Sequence, residues 1–146
     1  MTITTRTTEL EAVNTILSTI GEAPLSTLTG SLPVDGTTAK NILNEISREV
    51  QSAGWHFNTQ YKVDLTRDTT NKVPIGTDVV RVELSNRYDK SSYDVVQRGN
   101  YLFNLAKNSD IFDQDFTENT LIYLLDFDKL PEQARRYIAI RGRTLF

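Results

Sequence analysis

No cysteine occurs in the 146 residues, which excludes disulfides, thiolate metal ligands and a thiol nucleophile together. Histidine occurs once, at His56, so a multi-histidine metal centre is excluded too. No apolar run approaches the ~20 residues that a membrane-spanning helix needs. The opening MTITTRTTELE has no hydrophobic block of the kind a secretory leader carries, and synthesis and folding in a cytoplasm are expected. Gly30, Gly36, Gly76 and Gly99 stand alone, so there is neither a phosphate loop nor a dinucleotide fingerprint. A Gly-x-Ser-x-Gly nucleophile turn is absent as well.

What remains is ordinary globular usage, 38% hydrophobic and 24% charged, which suits one domain over 1–146 with a real core. A net charge of -3 argues against a general nucleic-acid binder. The charge is uneven. From Pro131 onward four arginines face one Glu132, a local +3, so the preceding 130 residues carry -6. An acidic body with a basic terminal segment is a marked sign asymmetry.

Hydrophobic spacing predicts an α+β fold: an N-terminal helical hairpin packed with a small, mainly antiparallel sheet and a C-terminal helix. Thr8-Glu9-Leu10-Glu11 reads as a capping box, and Leu10, Val13, Ile16, Leu17 and Ile20 recur at helical spacing until Gly21, giving a helix over about 9–20. Residues 22–36 read as a loop. Ala39, Ile42, Leu43, Ile46, Val50 and Ala53 form one stripe of a second helix over about 37–53, closed by Gly54. The period then becomes two. Tyr61/Val63/Leu65, Val80/Val82/Leu84 and Tyr101/Phe103/Leu105 alternate with polar residues over a β region of about 60–128. Gly99-Asn100 suits a two-residue hairpin turn with glycine first. Leu121–Leu125 is apolar on both faces, the mark of a central strand. Pro131 opens a third helix, 131–146, with Ala134, Tyr137, Ile138, Arg141 and Leu145 along one side.

Four places could carry chemistry. His56 sits between Trp55 and Phe57, near only Ser52 and Thr59 as hydroxyls. The plainer role is structural: Gly54 ends the helix, Trp55 and Phe57 anchor it in the core, and His56 points outward. On that expectation Trp55→Ala costs ~3–5 kcal/mol. The carboxylates from Asp110 to Glu118 could serve glycoside hydrolysis if paired across a cleft; Asp126 and Asp128, two carboxylates on one strand face, make a weak metal-site pattern and a second candidate pair for that hydrolysis. A solvated loop and a strand-to-helix turn are the simpler assignments. Arg135, Arg136, Arg141 and Arg143 form the fourth group, a candidate protein–protein interface, or phosphate contacts, on the last helix. No catalytic residue, metal site or cofactor site is assigned.

Two blocks carry a resemblance: Ala12-Val13-Asn14-Thr15-Ile16-Leu17 followed by Ile20-Gly21-Glu22-Ala23-Pro24, and a long helix closing in Gly54-Trp55-x-Phe57-Asn58. Leu130-Pro131-Glu132 with Tyr137 makes a third match. On these residues the chain resembles the tail tubular A proteins of short-tailed bacteriophages. That resemblance implies a structural protein of the virion tail without catalysis, cofactor or membrane. It implies a homo-oligomeric, dodecameric ring joining portal to tail nozzle, with genomic DNA passing through the lumen unbound. It also implies a further helical tail embracing the portal, a segment expected to be missing after Phe146. The alternative outside this resemblance is a carbohydrate-active tail component using the paired carboxylates.

Overall fold

Thr8 caps the first helix as its spacing predicts, its Oγ1 accepting from the amide of Glu11 at 3.1 Å. That helix, α1, runs Glu9–Leu17 and tightens into a 3-10 turn, Ser18–Ile20, before Gly21 at φ +74°. The computed structural model describes residues 5–145, so Phe146, the expected last residue of the third helix, lies outside the described residues. Two compact units divide the chain. One holds the described residues up to Ala53 and from Leu125; the other is Gly54–Leu124.

In the helical unit, α2 spans Val34–Ser52 and α3 spans Glu132–Leu145, and each of the three helices packs on the other two. α2 starts three residues before the expected Thr37 because Gly36, which reads as a turn residue, lies inside its first turn. A Cβ there would come within 2.9 Å of Leu25 Cδ1. The Leu25 backbone is gripped from the other side by Asn14, whose Nδ2 donates to its carbonyl at 3.1 Å and whose Oδ1 accepts from its amide at 2.8 Å. Ala12, Val13, Ile16 and Leu17 of α1, Ala39, Leu43 and Ile46 of α2, and Ala134, Ile138 and Ala139 of α3 are buried. Gly142 sets the closest approach, since a Cβ on it would lie 2.6 Å from Ile16 Cδ1 and 3.6 Å from Ile46 Cδ1.

The other unit is built of strands, apart from a 3-10 turn at His56–Asn58. Strands β1 (Thr59–Leu65), β5 (Phe116–Tyr123) and β2 (Val79–Glu83) form a three-stranded antiparallel sheet in the order β1-β5-β2. β3 (Val95–Arg98) and β4 (Tyr101–Asn104) form a separate two-stranded hairpin. Gly99 at φ +61° turns it, with Arg98 paired to Tyr101 as a two-residue loop requires. The fold is thus α+β and antiparallel, with the expected single layer divided in two. β5 is central, and it begins five residues before Leu121, taking Phe116, Thr117 and Glu118 out of the expected acidic loop. Phe116 has no exposed surface and is ringed edge-on by Tyr88, Tyr93 and Phe112 at 4.9–5.4 Å. Leu65, Val73, Ile75, Val79, Leu102 and Leu121 complete this core.

Candidate functional site

α3 has two faces of opposite character. Arg135, Ile138, Ala139 and Gly142 point inward, whereas Gln133, Arg136, Tyr137, Ile140, Arg143 and Thr144 are all exposed. At ~100° per residue the exposed set occupies an arc of about 120°. Tyr137 is 54% and Ile140 47% exposed. The apolar side expected from spacing is therefore displaced: Tyr137 and Leu145 lie outside the core, and the small residues Ala134, Ala139 and Gly142 lie within it. The reason is distance at one point: at Gly142, α3 sits too close to Ile16 and Ile46 for even a Cβ.

Of the four arginines assigned together, Arg135 belongs elsewhere. It is 4% exposed. Its Nε donates to the carbonyl of Leu130 at 2.7 Å, Nη1 to that of Thr7 at 2.8 Å, and Nη2 to that of Asp128. Phe127 packs beneath the guanidinium at 5.7 Å. The group ties three segments together and, being buried, offers nothing to a partner surface. One helical turn away, Glu132 completes the clamp, its Oε1 accepting from the Thr7 amide at 2.6 Å and Oε2 from the Thr7 hydroxyl at 2.7 Å. These bonds, the hydroxyl's first, hold the Glu132 carboxyl below its ordinary value. Arg141 reaches Glu49 of α2 at 2.8 Å, an exposed pair. Among the described residues Arg136 and Arg143 form no ion pair.

The Trp55 anchor is corrected by burial. The indole is 51% exposed, stacked on Phe57 at 6.5 Å and 8° between planes, outside the core cluster of its unit. Gly54 precedes it at φ +80°, with a Cβ position 2.6 Å from Ile122 Cδ1 and 2.9 Å from Arg81 Nη2. Asn58 holds the turn instead. It is buried, accepts from the Trp55 amide through Oδ1 at 2.9 Å and donates through Nδ2 to the Tyr123 carbonyl at 2.9 Å. His56 is exposed, its ring edge-on to Phe57 at 6.1 Å. Tyr61, expected on the inner face, is 65% exposed. Lys62 at φ 56° makes a bulge between Gln60 and Val63, and the inserted residue turns the alternation over.

The acidic stretch is used locally. Lys72 pairs with Asp110 at 3.3 Å, Arg67 with Asp115 at 3.1 Å and Arg87 with Glu118 at 2.6 Å, while Tyr93 donates to Asp113 at 2.7 Å. Each carboxylate thus faces a basic group or a phenol in place of a second acid across a cleft. No group of three His, Asp or Glu among the described residues is placed to hold a metal ion. No helix among them is long and apolar enough to cross a membrane.

Sequence reasoning passed over the carboxamides. Gln51 accepts from the Leu125 amide at 2.7 Å and donates to the Leu125 carbonyl at 3.0 Å. Asn119, fully buried, donates to the carbonyls of Val63 and Phe116 and accepts from the Ser85 amide. Asn104 accepts from the amides of Asp94 and Ala106. Each is an isolated polar residue in sequence, with only its place inside an apolar pattern as a signal.

The family model described as tail tubular protein matches residues 10–146. No curated protein matches the chain.

Proposed function

The chain belongs to the tail tubular protein family, hence to the structural proteins of a phage virion tail, and we propose that within the tail it is the ring-forming adaptor between portal and nozzle. The observation that carries this reading is the outward face of α3. A helix inside a well-packed unit that leaves Tyr137 and Ile140 uncovered between Arg136 and Arg143 has the composition of an assembly interface, rich in tyrosine and arginine. Arg136 and Arg143, with Arg141 at the edge, form the interface; Arg135 builds the helix end that presents it. The acidic balance of the chain, -3 overall, suits a ring lumen that passes DNA without adsorbing its phosphates. The protein's task is shape and contact, with no bond made or broken.

Light scattering and negative-stain images of the purified full-length protein, alone and with portal, test this directly. Closed rings that bind portal are the expected result. A monomer at every concentration, indifferent to portal and nozzle, would overturn it. Tight, salt-sensitive DNA retention by the ring would overturn the channel assignment alone.

A further inference from the structure

The uncovered stripe of α3 carries a charge opposite to that of the elements it packs on. α3 brings four arginines against Glu132, whereas the remainder of the helical unit carries eight carboxylates against four cations. Arg135 is consumed internally and Arg141 is paired with Glu49. Arg136 and Arg143 are left flanking Tyr137 and Ile140 on the exposed side. Glu11 on α1, Glu22 in the segment after it and Glu45 on α2 are exposed and form no ion pair among the described residues.

We propose that the occupant of the α3 stripe is a second copy of this chain, bound head to tail. The Arg136/Tyr137/Ile140/Arg143 face of one copy seats on exposed carboxylates of the next, Glu11 of α1, Glu45 of α2 and Glu22 between the two helices. The proposal rests on the ring reading above and names the contact that builds the ring. Two arguments carry it. Pairing the stripe with itself, as a two-fold dimer does, sets Arg136 and Arg143 of one copy against the same arginines of the other, a like-charge contact that is costly once dehydrated. Pairing it with the acidic surface puts opposite signs together on two different patches of one molecule. Such a heterologous contact leaves a free patch at each end and so propagates, closing into a ring when the rotation between successive copies completes a turn. Apolar surface is available on the receiving side as well, with Val34 at the start of α2 82% exposed and Ile20 after α1 46% exposed.

The test uses two full-length surface variants, each checked for an unchanged melting transition. Arg136→Glu with Arg143→Glu spoils the donating face. Glu11→Gln, Glu22→Gln and Glu45→Gln together spoil the receiving one. Either set alone weakens self-association on the order of 100-fold by analytical ultracentrifugation, as loss of a charged interface centre does. Mixed one to one, the two variants form a heterodimer and stop there, because each retains one working patch. Normal rings from the arginine variant overturn the proposal. If such rings also lose portal binding, the stripe belongs to portal and the adaptor reading stands. A mixture that stays monomeric overturns the complementary pairing. Failure of the wild-type chain to assemble at all is the separate outcome that removes the adaptor reading itself.

Discussion

Arg135 and Arg136 are neighbours of one type with opposite work, and their separation sets the first prediction. Arg135→Met leaves the carbonyls of Thr7, Asp128 and Leu130 without their donor, and at 4% exposure water cannot replace it. A stability loss of about 2–4 kcal/mol is expected from that buried network, read by chemical denaturation, whereas Arg136→Ala stays within about 0.5 kcal/mol. Equal losses would show that the clamp contributes nothing beyond charge. Trp55→Ala is expected to cost about 1–2 kcal/mol, because half the indole is already in water. The ~3–5 kcal/mol of a fully buried tryptophan does not apply at 51% exposure. Gly142→Val forces a branched side chain against Ile16 at a point where a single Cβ already meets Cδ1 at 2.6 Å. Overpacking of this kind costs about 1–3 kcal/mol, and an unchanged midpoint in thermal melts would mean that the helices separate freely there.

At the level of elements, the hairpin between β3 and β4 depends on the left-handed Gly99, φ +61°. Nothing lies within 4 Å of its missing Cβ, so any penalty for substitution is conformational and not steric packing. Gly99→Val should lose about 1–3 kcal/mol and Gly99→Asn much less, since asparagine tolerates this region. Similar midpoints for the two variants would place the turn outside the stability of the unit. The same strand geometry bears on assembly. β1 is an edge of the three-stranded sheet, yet bulges on both sides of Val63 and a positive φ at Lys62 interrupt it. A bulged edge carrying lysine resists the addition of another strand, so in the proposed ring β1 is a poor place for subunits to join. α3 offers the better surface, being a regular helix with its outer arc uncovered.

For the whole molecule, acid is the common stress. Glu132 in the helical unit is held below its ordinary carboxyl value by the Thr7 hydroxyl first. In the sheet unit, Asp68 is lowered by the Thr70 hydroxyl, Asp89 by the Ser91 hydroxyl, and Asp115 by the Arg67 amide before its guanidinium. A lowered folded value means that the unfolded chain binds the proton more readily. The stabilisation is therefore complete above the ordinary values, 3.8 for Asp and 4.5 for Glu, and is lost as pH falls through the lower folded values. Melting temperature should stay level down to about pH 5 and then fall; in Glu132→Gln the helical unit's share of that fall should shrink. A melting temperature that rises below pH 4 would contradict the assignment. Read from sequence alone, the α+β class, the glycine stops, the hairpin turn and the central strand were all accessible. They follow from local rules: period, cap and turn chemistry act over a few residues, and the side chains that obey them sit next to one another in the chain. The inward side of α3, the exposure of Trp55 and Tyr61, and the division of the arginines were decided only by the tertiary structure. Helical spacing gives the arc a residue occupies but not which arc a neighbour will cover. That choice was made by the close approach of Ile16 and Ile46 at Gly142, by one bulge residue in β1, and by the three backbone carbonyls that converge on a single guanidinium.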